Sequence, residues 1–380
     1  MAILKGFVRE YSERNRTGAF SNVYSVTNSR GFVPSADYFN KEVFSNDLKN
    51  YKVVHKGMLA YNPSRINVGS VALLDSSDVV VVSPLYVVVE VANDSLLPEY
   101  LNAFLHSPSA LSQIKVLTSG SVRDSLRYSS FELLQLPVPH IKQQRAVAST
   151  LDKVCNLIAK CDEQIVRLDQ LVKSRFVEMF GGFGNPKHLP ICRVGDVIDA
   201  IDPHPSHRTP PAVKEGVPYV GVAECDRETG TIKFERARIV AQEVLDDHKN
   251  RYTIEEGDFL IGKIGTIGKP FFLPSEQSYV LSANTVLIKP RRSLVEPQFL
   301  KIQFENQFIE HQIASNAKST SQPAFGMNKV RDLLMLNPPL AIQREFAAFV
   351  DKVDKLAFAA RRRRDVAKQL YRAKIQEYFG

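Results

Sequence analysis

The chain has 380 residues, of which 44% are hydrophobic and 24% charged, a composition that is typical of folded proteins and excludes disordered or fibrous ones. No segment reaches the roughly 18 consecutive apolar residues of a membrane span, and the opening Met-Ala-Ile-Leu-Lys-Gly lacks the apolar core of a secretion signal. We therefore expect a soluble, cytoplasmic protein without a membrane partner. The net charge of +8 favours a polyanionic partner such as nucleic acid.

Residues 1–138 are predicted to form a first α+β domain. Two segments, Val79 to Val82 and Tyr86 to Val91, are dense in β-branched residues and indicate buried strands. Proline and glycine punctuate the regions around them, which is typical of irregular loops.

Two polar loops of this domain, residues 61–70 and 118–128, combine the residue types that read DNA. Arginine and asparagine recognise guanine and adenine edges, while serine and glycine let the backbone approach phosphate. A solvated loop without function is the alternative for each. The candidate contacts are Asn62, Ser64, Arg65, Asn67, Ser119, Ser121, Arg123 and Arg127.

Residues 139–182 are predicted to form a long helix. Apolar residues recur at steps of three and four, which suits a coiled-coil seam, and the segment follows prolines and ends at Gly181. A helix of this length needs a partner for its apolar stripe.

Residues 183–337 are predicted to form a second α+β domain. Its proline-rich segment DPHPSHRTPP contains His204 and His207, for which we expect exposed loop positions. A DNA contact, by His207 and Arg208, is the second interpretation and a metal site is the third. The segment from Gly262 to Lys269 resembles a phosphate-binding loop, but its spacing fails and Pro270 replaces the magnesium-binding Ser/Thr. A loop between strands is the better interpretation, and its candidate DNA contacts are Lys263, Thr266 and Lys269. A further polar loop adds Lys318, Ser319, Thr320 and Gln322.

The last segment, residues 338–380, repeats the first helix at a constant offset of 199. Repeats of this kind reveal duplicated architecture. The identical pairs include Pro139/Pro338, Gln144/Gln343, Asp152/Asp351, Leu157/Leu356, Leu171/Leu370, Phe180/Phe379 and Gly181/Gly380. The order is thus domain, helix, domain, helix. The two helices are expected to pair antiparallel with pseudo-twofold symmetry, and Arg361 to Arg364 would then complement Asp162 and Glu163.

Two local patterns resemble parts of methyltransferases. Phe180 to Gly184 fits the FxGxG cofactor loop, and Asn337 to Leu340 resembles the Asn-Pro-Pro-aromatic tetrapeptide of adenine methyltransferases. A cofactor loop must leave a strand and open a helix, whereas these glycines end a helix, and Leu340 replaces the aromatic residue that stacks on a flipped base. Both patterns are better explained as helix boundaries. A self-sufficient adenine methyltransferase and a coiled-coil scaffold that binds no DNA are the two alternative functions.

No catalytic or metal-binding motif emerges. The sequence lacks HExxH, GxSxG and paired carboxylates with nuclease spacing. The cysteines show neither CxxC nor zinc spacing, so reduced structural thiols are expected at Cys155, Cys161, Cys192 and Cys225.

The whole chain resembles the specificity (S) subunits of type I restriction-modification systems. The residues that carry the resemblance are LPVPHIKQQRAVASTLDKV with its terminal VEMFG, LNPPLAIQREFAAFVDKVDKL with its terminal QEYFG, and the loop segments VYSVTNSRGFVPS, YNPSRINVGS and SGSVRDSLRY. An extended N-terminal conserved stretch is missing, and the second domain matches in framework only.

The resemblance implies two target recognition domains that each read one half of a bipartite double-stranded DNA sequence. It also implies that the helices set the spacing and dock two methyltransferase subunits, and that restriction-translocase subunits complete the enzyme. S-adenosylmethionine, ATP and magnesium would be used by those partners, so we expect no cofactor, metal or catalytic residue in this chain. Its expected location is the nucleoid within the cytoplasm.

Overall fold

The computed structural model describes residues 1–28, 30–38, 47–118, 125–182, 187–206, 208–264, 266–317 and 325–380. They form two compact units. Unit 1 comprises residues 1–162 and 362–380, and unit 2 comprises residues 163–361. The long helices predicted within 139–182 and 338–380 are therefore each divided between the two units.

The first half of the chain contains ten strands and five helices within the described residues. The strands are β1 (Ala2–Ile3), β2 (Val8–Tyr11), β3 (Tyr24–Thr27), β4 (Gly31–Pro34), β5 (Lys52–His55), β6 (Leu59–Tyr61), β7 (Val71–Leu73), β8 (Val79–Val82), β9 (Val87–Val91) and β10 (Gln135–Leu136). The helices are α1 (Ser35–Tyr38), α2 (Pro98–Leu105), α3 (Pro108–Thr118), α4 (Tyr128–Phe131) and α5 (Ile141–Phe180).

The second half contains eleven strands and six helices within the part of the chain that is described. The strands are β11 (Ile191–Arg193), β12 (Ile198–Ile201), β13 (Val217–Val220), β14 (Cys225–Asp226), β15 (Thr231–Ile232), β16 (Arg238–Val240), β17 (Phe259–Gly262), β18 (Phe271–Phe272), β19 (Val280–Leu281), β20 (Thr285–Pro290) and β21 (Leu334–Leu336). The helices are α6 (Val194–Val197), α7 (Gln242–Arg251), α8 (Pro297–Phe304), α9 (Gln307–Ala317), α10 (Met327–Asp332) and α11 (Leu340–Phe379).

Unit 1 is built around an antiparallel four-stranded sheet in the order β2-β9-β6-β7. The central strand β9 pairs with β2 through Val8↔Val91 and with β6 through Leu59↔Val89. Smaller pairs β1-β10, β3-β4 and β5-β8 surround it. The predicted strands near Val79 and Val87 are thus confirmed as β8 and β9, and their valines are largely buried, as β-branched residues in a packed sheet should be.

Unit 2 repeats this sheet as β12-β20-β17-β18 and the small pair as β11-β21. The helices that follow the central strand repeat as well, because α8 and α9 lie 199 residues after α2 and α3. Unit 2 also has a three-stranded sheet, β16-β13-β19, in which β13 and β19 run parallel. The duplication therefore extends from the helices into the globular domains, with local additions.

The long helices contribute their apolar stripe to the cores, as the periodicity predicts. In unit 1, burial and then the neighbouring Cys155 raise the pKa of Tyr371, which places these two side chains next to each other. The Arg364 guanidinium lies 3.4 Å from the Asp162 carboxylate. The residue numbers fall along α11 as they rise along α5, so these helix segments run antiparallel. The predicted charge complementarity is confirmed for the pair Arg364 and Asp162. No helix of the described residues is long and apolar enough to cross a membrane.

The last turn of each long helix is buried in a globular core. Phe180 is fully buried in unit 2, with its ring centroid 5.0 Å from that of Phe299 and 5.3 Å from that of Phe346. In unit 1, Phe379 packs at 5.2 Å from Tyr100 and 5.7 Å from Phe104. The Phe-Gly endings are thus core anchors as well as helix stops.

A buried glutamine joins the start of each long helix to the helix that follows the sheet. The Gln144 amide accepts a hydrogen bond from the Leu97 N–H at 2.9 Å and donates to the Ser95 carbonyl at 2.7 Å. Gln343 repeats this in unit 2, where it accepts from the Glu296 N–H at 3.0 Å. Because both side chains are fully buried, these bonds fix the direction in which each long helix leaves its domain.

Candidate nucleic-acid interface

The loop after β6 holds its polar residues on a rigid backbone. The Asn62 carboxamide oxygen accepts a hydrogen bond from the Ser64 N–H at 3.0 Å, and a single 3-10 turn over Ile66–Val68 follows. Ile66 is fully buried and anchors the turn. Gly69 closes it with a φ of 87°, a conformation that favours glycine.

The predicted DNA contacts of this loop differ in how exposed their side chains are. Ser64, Arg65 and Asn67 are exposed, while Asn62 is partly buried and shapes the turn. The exposed guanidinium and amide therefore project from a fixed backbone, which is the arrangement that base reading requires.

The end of the second predicted loop of unit 1, residues 125–128, lies beside the first loop. Ser119, Ser121 and Arg123 lie outside the described residues. The chain that follows them is anchored, because the Leu126 N–H donates to the Pro63 carbonyl at 3.0 Å and Leu126 is fully buried. The next residue, Arg127, is exposed at the start of α4. The structure thus brings Arg127 to the loop that carries Arg65.

Unit 2 contains the same backbone contact between its first loop and the chain that follows its second polar loop. The Phe325 N–H donates to the Lys263 carbonyl at 2.9 Å, and Phe325 is buried like Leu126, its counterpart 199 residues earlier. Thr266 is exposed in the glycine loop after β17. The predicted contacts that precede Phe325 lie outside the described residues; they are Lys318, Ser319, Thr320 and Gln322.

The two lysines of the glycine loop have protein partners. The Lys263 ammonium is buried, forms an ion pair with Asp202 at 2.8 Å and donates to the Ala283 carbonyl at 3.1 Å. A direct DNA contact by Lys263 does not fit this placement, and its role here is to hold the glycine loop against the end of β12. Lys269 forms an ion pair with Glu310, and both side chains remain partly exposed.

The proline-rich segment differs from its predicted arrangement. His204 was expected to be exposed, and this was wrong, because its ring is buried 4.4 Å from the ring of His248. His248 also forms a hydrogen bond of 2.7 Å with the Tyr252 hydroxyl. His207 lies outside the described residues, and Arg208 is exposed.

The buried histidines should make the stability of unit 2 depend on pH. The pKa of His248 is lowered to about 3, mainly by burial and in addition by charge repulsion from His204 and Arg251. Above the ordinary pKa near 6.5, His248 is neutral in both states and its contribution is fully present. Below it, the unfolded chain takes up a proton that the folded chain refuses, so stability falls as the pH drops toward about 3.

We expect unit 2 to lose about 2 kcal/mol of unfolding free energy between pH 6.5 and pH 5 through this group. Denaturant titrations of the full chain at the two pH values measure the loss, and the variant His248→Leu should reduce it. His140→Gln is the matched control, since His140 is exposed at the start of α5. An equal pH dependence in His248→Leu and the wild type would overturn this assignment.

The two methyltransferase-like patterns lie at the end of α5 and at the start of α11. No group of three or more His, Cys, Asp or Glu side chains among them could hold a metal ion. Phe180 of the FxGxG pattern is a buried helix residue. In the Asn-Pro-Pro pattern, the Asn337 carboxamide oxygen accepts a hydrogen bond from Gln343 at 3.1 Å, so it serves the helix start.

Some residues that shape the candidate interface were not singled out by sequence reasoning. Leu126 and Phe325 join the chain after the second polar loop of each unit to the first loop, and Asp202 fixes Lys263. The signal for the first two was available, since both are apolar residues directly after a polar loop and are separated by the repeat offset of 199. No local pattern marks Asp202.

Comparisons with known proteins agree with the duplicated architecture. The model of the family described as type I restriction modification DNA specificity domain matches twice, at residues 10–167 and 214–367. The chain is 20% identical over 295 residues to the type I restriction enzyme EcoBI specificity subunit of Escherichia coli, covering 68% of this chain and 59% of that protein. It is 22% identical over 280 residues to the EcoKI specificity subunit of Escherichia coli strain K12, covering 67% and 58%. The match thus spans about three fifths of each relative.

Solved structures share the fold. The type I restriction-modification system S subunit from M. genitalium matches with a TM-score of 0.62 and 12% identity, over 100% of this chain and 95% of that one. A chain from a type I R-M system studied for its complex assembly and conformational transition matches with a TM-score of 0.53 and 17% identity, over 99% and 96%. Since the family model covers most of the sequence, once in each half, the chain belongs to the type I restriction-modification DNA specificity family.

Proposed function

We propose that this chain is the DNA-recognition subunit of a type I restriction-modification enzyme, in which each unit reads one half of a bipartite duplex target. The observation that carries the proposal is the repeated loop junction. In each unit the residue that follows the second polar loop, or comes near its end, donates an equivalent backbone hydrogen bond to the first loop, from Leu126 to Pro63 and from Phe325 to Lys263. The chain belongs to a family of DNA specificity domains and carries this arrangement twice, which fits a target with two halves.

Binding to duplexes with one altered half-site tests this proposal. The full chain, assembled with its methyltransferase subunits, is titrated with the target and with each half changed in turn. Arg65→Ala should lose about 1–3 kcal/mol of discrimination at one half-site and none at the other. Thr266→Ala should affect only the opposite half. Equal losses at both halves would contradict the division of labour.

The long helices also carry a candidate surface for the methyltransferase subunits. Leu157 and Leu370 in unit 1 are 46% and 45% exposed, and Leu171 and Leu356 in unit 2 are 46% and 53% exposed. Each unit thus exposes two leucines of its long-helix segments at repeat-related positions, here called the leucine pairs. Two equivalent sets of exposed apolar side chains on one chain suit two copies of one partner.

Each leucine pair should therefore bind one methyltransferase subunit. Replacing Leu157 and Leu370 by aspartate is expected to reduce the complex from two methyltransferase subunits to one, and replacing all four leucines should abolish binding. Light scattering coupled to size exclusion gives the stoichiometry. Lys160→Asp, also on the exposed surface of α5, is the control. An unchanged mass for the double variant would exclude the leucine pairs as the docking surface.

The chemistry would belong to the partners. In this proposal the chain itself binds no cofactor, the methyltransferase subunits bind S-adenosylmethionine, and the restriction-translocase subunits use ATP and magnesium. The purified chain should accordingly neither methylate nor cleave DNA. Methyl transfer by the isolated chain would favour the alternative of a self-sufficient methyltransferase, and a calorimetric titration with S-adenosylmethionine separates the two.

A further inference from the structure

We infer that a third loop completes each recognition surface, and that Arg16 in unit 1 and Arg208 in unit 2 contact the DNA phosphate backbone from it. Sequence reasoning singled out Arg208 but no residue in the corresponding loop of unit 1. The inference rests on the proposed function and adds residues 12–20 to the surface of unit 1.

The strand directions place this loop at the recognition end of the sheet in unit 1. Strands β2 and β6 both pair antiparallel with β9, through Tyr11↔Val88 and Ala60↔Val88. They consequently run in the same direction, and the loops that follow them leave the same end of the sheet. The loop after β6 carries Arg65, and the loop after β2 carries Arg16.

Unit 2 has the same topology and a direct contact. Strands β12 and β17 both pair antiparallel with β20, so the proline-rich segment and the glycine loop leave the same end. The ion pair between Asp202 and Lys263, at 2.8 Å, joins the two loops at their bases. Arg208 in this segment is exposed, as is Thr209 beside it.

Both loops are fixed near their bases. In unit 1 the buried Asn15 amide donates to the Phe20 carbonyl at 2.7 Å, and its carboxamide oxygen accepts from the Phe20 N–H at 3.1 Å. In unit 2, Arg251 donates to the Pro203 carbonyl at 2.7 Å. Arg16, next to the buried Asn15, is exposed together with Thr17, so both units present an exposed Arg-Thr pair from an anchored segment.

The acidic residues near Arg16 have other partners, so its guanidinium is available for a phosphate contact. The loop borders a cleft of about 590 Å³ that also contains Glu10 and Glu13. Glu10 is paired with Lys52 at 3.3 Å, and Glu13 lies 3.7 Å from His55. Within the described residues, Arg16 has no ion pair. The planar guanidinium of an exposed arginine can donate two parallel hydrogen bonds to phosphate oxygens.

The test measures the salt dependence of DNA binding by the assembled complex. Arg16→Ala should weaken binding to the target about tenfold and reduce the slope of log K against log salt by about one, because one phosphate contact is lost. The loss should be the same for the target and for a duplex with an altered half-site. Arg16→Lys should retain most of the affinity.

Lys56→Ala is the matched control. Lys56 is exposed and precedes β6, so it lies at the opposite end of the sheet while carrying the same charge. If Arg16→Ala behaves like Lys56→Ala while the wild type binds its target, the third loop is excluded and the proposed function stands. If the wild-type complex shows no sequence-specific binding, the proposed function fails and this inference fails with it.

Discussion

Phe180→Ala should lower the unfolding free energy of unit 2 by about 3–5 kcal/mol, the cost of truncating a fully buried phenylalanine. Its ring contacts Phe176, Phe299 and Phe346, and Phe299 belongs to the helix that follows the central sheet. Truncation leaves a cavity where the helix end and the domain core meet. Denaturant titration measures the loss of unfolding free energy, and amide hydrogen exchange shows which residues lose protection.

The repeat provides an internal comparison for this prediction. Phe379→Ala should have the corresponding effect on unit 1, where Phe379 packs against Tyr100 and Phe104. Phe358→Ala is the control, because Phe358 lies on α11 with 56% of its side chain exposed. A loss in Phe180→Ala no greater than that in Phe358→Ala would show that the helix end does not anchor the domain.

Removing seven residues from both long helices should shorten the preferred gap between half-sites by about three base pairs. Seven residues span about 10 Å of helix, and base pairs are about 3.4 Å apart. Cys155 lies opposite Tyr371 and Asp162 lies opposite Arg364, and these pairs define the register of α5 against α11. Deletion of residues 159–165 and 361–367 therefore removes segments that face each other in that register. Two turns are lost, which nearly preserves the heptad phase.

Deletion from α5 alone is the informative counterpart. It would shorten α5 by about 10 Å and so pull Phe180 out of the core of unit 2. We expect unit 2 to be destabilised and the complex to show no single preferred gap between half-sites. Target selection from a duplex library with variable gaps distinguishes the outcomes. An unchanged gap in a stably folded double deletion would contradict the role of the helices as a ruler.

The sequence predicted the helices well because their signals are local. The stripe of Leu151, Val154, Cys161, Leu168 and Val172 has helical spacing, and each of these residues is buried. The repeat at a constant offset then predicted the second helix and the order of the domains. What the offset did not predict is that each helix end belongs to a core formed largely by residues far away in the chain.

The interface was predicted less completely, for a physical reason. Residue type identified the polar loops, and Arg127 does lie next to the loop that carries Arg65. Burial depends on partners distant in sequence, so Lys263 and His204 were expected at the surface although Asp202 and His248 hold them inside. Anchors such as Leu126 resemble any core residue until the hydrogen bond to Pro63 is seen.

The central claim is that each unit reads its own half of a split target. Mapping methylated adenines in cells that carry this chain and its methyltransferase tests it most directly, with the wild type compared to Arg65→Ala. We predict a bipartite motif with a fixed gap, and in the variant a relaxed base in one half only. A single contiguous motif, or relaxation of both halves together, would contradict the account.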